Sequence, residues 1–245
     1  FVGLGLLLIK NNNNMKLQNV LRSQTLLILV VVTIFSFTSC IKKTTTTLYD
    51  TSSILVTHAS PDGPGVDLLV NNTKMNTAAL NYPLNTGYIS VSAGTSNIKV
   101  NVAGTATSVI NADLAFAKDQ HYSIFAVDSV SKISAVVLTD DLSAPAAGKA
   151  HIRFVHLSPN APAVDVALVG GAVVFPNKSF KGYTEFTPLD AATYNLEVRV
   201  AGTMNVALTL PPITLVAGKI YTVYAKGFLG GTGVQALGAE IISNN

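Results

Sequence analysis

The chain has 245 residues, of which 49% are hydrophobic, 12% charged and 7% aromatic, enough for about two ordinary domains. So low a charged fraction with abundant Val, Ile, Leu and Ala excludes disorder, and the composition excludes collagen and coiled coils, while a single cysteine excludes an internal disulfide framework. The net charge of +3 is no nucleic-acid signal, because Lys10, Lys16 and Arg22 supply it and 13 basic residues balance 13 acidic ones from Cys40 onward.

Residues 1–14 end in four asparagines just before Met15 and are read as upstream translated sequence outside the fold. Residues 15–39 have the form of a secretion signal. Lys16 and Arg22 make a positive start, and the apolar run from Thr25 to Phe37 is about 13 residues long, short of the roughly 20 that cross a bilayer. Phe37-Thr38-Ser39-Cys40 then resembles the bacterial lipobox, with Phe37 where Leu is usual. The resemblance implies cleavage before Cys40 and a diacylglycerol on its sulfur, in preference to a transmembrane helix that ends at a buried cysteine. Residues 40–52 are polar and Thr-rich and read as a tether. The implied location is a bacterial cell envelope, with the lipid in the outer membrane and the periplasmic or surface face left open.

Two segments share one pattern: His58-Ala59-Ser60-Pro61-Asp62-Gly63-Pro64-Gly65-Val66-Asp67 and His156-Leu157-Ser158-Pro159-Asn160-Ala161-Pro162-Ala163-Val164-Asp165, 98 residues apart. Asn97 to Thr105 and Asn195 to Thr203 match at the same offset, so the sequence predicts a duplication, with units at 53–142 and 150–243 and a Pro/Ala/Gly linker at 143–149. Period-two alternation runs through both. Ile98, Val100 and Val102 alternate with Lys99 and Asn101, and Tyr194, Leu196, Val198 and Val200 with Asn195, Glu197 and Arg199, which points the valines inward and Lys99 and Arg199 outward. Further strands are expected at 54–58, 66–71, 88–92, 122–128 and 133–139, then at 151–156, 164–169, 184–187, 220–226 and 234–242. The predicted fold class is all-β: two tandem immunoglobulin-like antiparallel β-sandwich domains.

The repeated pattern H-x-S-P-[D/N]-x-P-x-V-D resembles the opening of the bacterial family called domain of unknown function 4397. The second copy, led by Arg153-Phe154-Val155, is closer than the first, where Leu55-Val56-Thr57 stands instead. The resemblance implies an exported β-domain and no particular activity. Physically, Pro61 and Pro64, or Pro159 and Pro162, build a rigid corner between strands, which Asp62 or Asn160 can close as an Asx turn. His58 and His156 are expected to hold loop backbone, and Ser60, Ser158, Asp67 and Asp165 complete the corner. The competing reading makes Asp62, Asp67, Asn160 and Asp165 oxygen donors for calcium, but their spacing matches no known loop, and no metal site is assigned.

No catalytic residue and no cofactor is assigned either. His151 and His156 face opposite sides of one strand, as do Asp140 and Asp141, and Glu185, Glu197 and Glu240 are too dispersed to act as a glycosidase pair. Gly227 to Gly233 looks like a phosphate loop but lacks its lysine and is read as a hairpin turn. Asp128-Ser129-Val130 resembles a bacterial O-glycosylation signal at Ser129. The expected function is a membrane-anchored envelope lipoprotein without enzymatic activity, an interaction or structural module whose partner is an envelope protein or glycan. A carbohydrate- or peptide-binding lipoprotein is the alternative, weakened by the absence of tryptophan, and a hydrolase with an unrecognised site is the second.

Overall fold

A computed structural model describes residues Tyr49–Asn245, which form one compact unit. The predicted signal, Cys40 and most of the tether lie outside the described residues.

Strands β1 (Thr51–His58), β2 (Val66–Val70), β3 (Thr73–Lys74), β4 (Asn85–Ser92), β5 (Gly94–Val102), β6 (Ser108–Phe116), β7 (His121–Val127) and β8 (Ser134–Asp140) make two sheets, ordered β4-β1-β7-β8 and β3-β2-β5-β6. The alternating side chains of both sheets meet in a core of Ile54, Val56, Leu68, Ile98, Phe116 and Ile124. The same order returns in β9 (Lys149–His156), β10 (Val164–Leu168), β11 (Val173–Lys178), β12 (Thr187–Asp190), β14 (Leu196–Val200), β15 (Val206–Thr209), β17 (Ile220–Lys226) and β18 (Gly238–Ser243), as β12-β9-β17-β18 and β11-β10-β14-β15. A small pair, β13 (Thr193–Tyr194) and β16 (Ile213–Thr214), lies beside them. The second core holds Ile152, Phe154, Val166, Phe175, Val198 and Val223.

The all-β sandwich class is what the alternation predicts, but the strand order departs from the immunoglobulin arrangement. There the first two strands share a sheet, whereas here β1 and β2 lie in different sheets, and β1 pairs parallel with β7, as β9 does with β17. The proline corner explains this. Two rigid φ angles and two missing donors prevent a tight β1–β2 hairpin, so the chain crosses to the opposite sheet and leaves the edge of β1 for β7.

Three local expectations are also corrected. The first strand begins at Thr51, inside the predicted tether. The strand expected at 184–187 is β12, placed at Thr187–Asp190 by its pairing with β9. Val100 and Val198 are buried, but so is Arg199, at 1% exposure. It points away from the core as the alternation requires, yet its guanidinium is covered: it pairs with Glu197 at 2.5 Å and donates to the carbonyls of Gly171 and Leu168, each at 3.1 Å.

The outer faces of β1, β7, β9 and β17 are also buried. Leu55, Phe125, Val127 and Leu138 from the first sandwich pack with Val155, Tyr224 and Ile242 from the second in one continuous cluster. Strands buried on both faces read as unbroken apolar runs, which accounts for the sequences ILV at 54–56 and FV at 154–155.

Candidate functional site

Each corner is built on its histidine. His58 ends β1 with its ring fully buried, and Nε2 lies 2.8 Å from the Pro64 carbonyl; His156 ends β9 and holds the Pro162 carbonyl at 3.0 Å. A carbonyl only accepts, so Nε2 carries the proton in both, and Nδ1 of His58 is left to accept the Ser60 N–H at 3.4 Å. Burial lowers the pKa of both imidazoles, partly offset by these backbone bonds.

The corner then reaches outward. Asp62 and Asn160 do not close their own turns as Asx residues. Asp62 accepts the Val130 N–H at 2.9 Å, and Asn160 accepts from Leu229 N–H at 2.7 Å while donating to the same residue's carbonyl at 3.0 Å. Each thus clamps the loop after β7 or β17. Ser158 donates to the Gly227 carbonyl at 2.6 Å. Asp67 and Asp165 staple the Ala-Gly-Thr turns by accepting the N–H of Gly104 at 3.0 Å and of Gly202 at 2.9 Å. Asp67 also meets Lys74 at 2.8 Å, and Asp165 accepts the Asn177 N–H at 2.7 Å. The hydrogen bond from Lys74, followed by that from Gly104, lowers the Asp67 pKa.

The oxygens weighed as calcium donors are therefore bonded to backbone or to lysine. Among the described residues no group of three or more His, Cys, Asp or Glu is placed to hold a metal ion. The glycine-rich segment connects β17 to β18 as a folded loop. A Cβ on Gly227 would stand 2.1 Å from the Ala236 carbonyl oxygen, so close backbone approach explains that glycine without any phosphate. Ser129 lies half-buried in the loop after β7, its N–H donating to Asp128 at 2.8 Å.

One constellation was not singled out in the sequence. Arg153, fully buried, meets Asp140 of the other sandwich at 2.7 Å and donates to Thr222 and Ser123, each at 2.8 Å. Its guanidinium also stacks 4.4 Å over the Phe186 ring. Asp140 accepts from Ser123 at 2.7 Å and from the Tyr88 hydroxyl, which in turn accepts from Asn244 at 3.0 Å. Burial, and then the Asp140 charge, push the Tyr88 pKa up, so the phenol stays a donor. The register exposes the asymmetry: Arg153 lies opposite Thr222 across β9 and β17, and Leu55 lies opposite Ser123 across β1 and β7. Arg153 leads the second motif copy, but nothing local marks a partner 13 residues upstream in another sandwich.

The family model described as Domain of unknown function (DUF4397) matches residues 52–167, which takes in the first sandwich and the strands β9 and β10 of the second. No curated protein matches the chain. Among solved structures, the C-terminal domain of AlgF from P. aeruginosa aligns at 19% identity over 39% of this chain and 98% of that one, with a TM-score of 0.29. The Bacillus anthracis TIE protein aligns at 11% identity over 72% of this chain and 34% of that one, with a TM-score of 0.24. A family 26 carbohydrate-binding module of Eubacterium rectale Amy13K, solved with maltoheptaose, aligns at 8% identity over 79% of this chain and 97% of that one, with a TM-score of 0.24. At such scores these likenesses bear on neither ligand nor activity.

Proposed function

We propose that the chain is a lipid-anchored envelope protein whose two sandwiches, a tandem duplication, act together as a non-catalytic interaction module. The observation that carries this reading is the use made of the repeated motif. Its imidazoles and carboxyls hold loop backbone at 2.7–3.0 Å, so the residues that most invite a chemical role serve to shape one end of each sandwich. The shared core and the Arg153–Asp140 pair join the sandwiches into a single body, which suits a scaffold that presents loops at fixed spacing. The anchor rests on the basic start, the short apolar run and Cys40.

Metabolic labelling with an alkyne fatty acid, followed by crosslinking and pull-down from the native envelope, tests the proposal. Wild type is expected to carry label and to retain an envelope protein or glycan, and Cys40→Ala to lose the label. Equal labelling of both would refute the anchor.

A further inference from the structure

The end of the second sandwich shaped by the His156 corner contains an apolar cavity of about 230 Å³, walled by Val164, Val198, Val200 and Leu208 and capped by Leu229 and Leu237. His156 is the one polar side chain on its wall, and Nε2 of that ring is engaged by the Pro162 carbonyl. No charged group lines it.

The first sandwich closes the same place. There Val66, Leu80 and Val100 form a buried cluster, with Val109 and Ile110 packed against it. Leu80 is the residue bridged to Val66, whereas Lys178 pairs with Val164. Ile110 pairs with Val100 and is preceded by Val109, whereas Leu208 pairs with Val198 and is preceded by Ala207. A leucine and a valine are thus replaced by a lysine and an alanine, and the core is left unfilled. The covering loop differs as well. Residues 128–133 join β7 to β8, while the longer segment 227–237 joins β17 to β18 and carries Leu229 and Val234 exposed at 47% and 73%. Close approach of Gly231 to the Gln235 carbonyl folds that segment into a compact cover.

We propose that this cavity is a binding site for a small apolar group, a single ring or an alkyl end of about six to eight carbons, since an apolar cavity of about 150 Å³ accommodates benzene. The walls supply dispersion and desolvation and no hydrogen bond, so recognition is by shape and volume. The site does not depend on lipid at Cys40.

The test is methyl NMR of the intact chain titrated with toluene and with 1-hexanol. Saturable shifts of the Val164, Val198 and Leu208 methyls are expected. Tighter binding of toluene assigns a ring and tighter binding of hexanol an alkyl end, and both support the site. Ala207→Leu, on the exposed lip, fills the cavity and should weaken binding at least tenfold; Ala161→Leu, on another part of the wall, is an independent filling variant. Leu80→Ala should open a second site, seen as new shifts at Val66 and Val100. Absence of shifts in the wild type, or shifts that do not saturate and persist in both filling variants, would overturn the proposal.

Discussion

Removing one member of the buried Arg153–Asp140 pair should be among the most damaging single changes in the protein. Both side chains are at most 2% exposed, and the guanidinium faces Asp140, Ser123, Thr222 and the Phe186 ring. Asp140→Leu leaves the cation with two neutral hydroxyls and no counter-charge, a loss of about 3–5 kcal/mol. At roughly 2–4 °C per kcal/mol for a body of this size, the melting temperature should fall by about 6–20 °C. Arg153→Leu should cost a similar amount, because it strands Asp140 with Ser123 and the Tyr88 hydroxyl as donors. The double variant, Arg153→Leu with Asp140→Leu, behaves differently. It removes both desolvation penalties and places beside Leu55, Phe125 and Val155 the kind of side chain they already pack with, so it should return to within about 1 kcal/mol of wild type or exceed it. Leu55 at the matching register position of β1 shows that the geometry accepts leucine. The assay is a double-mutant cycle from urea unfolding, followed by far-UV circular dichroism and by tyrosine fluorescence, there being no tryptophan. A coupling energy below about 0.5 kcal/mol, or a single variant within about 1 kcal/mol of wild type, would refute the reasoning.

The two corner imidazoles have pKa values lowered by burial, so the unfolded chain takes up their protons first; the stability they confer is complete above about pH 6.5 and declines as pH falls below it toward their folded values. Urea midpoints at pH 7.5, 6 and 5 should show that decline, and His58→Gln with His156→Gln should flatten it. Val198→Ala should cost about 1–3 kcal/mol by opening the core, and Lys99→Ala less than about 0.5. Arg199→Ala should resemble the former, since it strands Glu197 and two carbonyls, and a melting temperature unchanged by Arg199→Ala would contradict its burial. Intact mass spectrometry of protein from its native host should show a glycan on Ser129, and a fully unmodified Ser129 peptide would rule that out.

Legibility in the sequence followed locality. Alternation at 98–102 and 194–200 marks β5 and the strands around β14, and paired prolines mark the corners, because a strand face and a fixed φ are properties of a few adjacent residues. Strand β6 was not among the expected strands. Its Ile110, Ala112, Leu114 and Phe116 do alternate with Asn111, Asp113 and Ala115, but alanines on both faces weaken the apolar contrast, and it is held as a strand by pairing along β5. Asp62 and Asn160 look like local turn formers, yet what they bind is 68 and 69 residues away, on loops that only the parallel β1–β7 and β9–β17 pairings bring alongside.

By itself, then, the sequence determined that the described part of the chain is all-β, where most strands and both corners lie, and which side chains along a strand face the core, since these follow from period, composition and backbone restriction. The tertiary structure decided what the outward faces meet. It turned Arg153, one residue of an apolar run, into the partner of Asp140, buried Arg199 under the turn between β10 and β11, and left a hollow where Lys178 and Ala207 stand in place of a leucine and a valine. Burial of a charge and filling of a void are sums over residues distant in the chain, so their outcome appears only once the sheets are stacked.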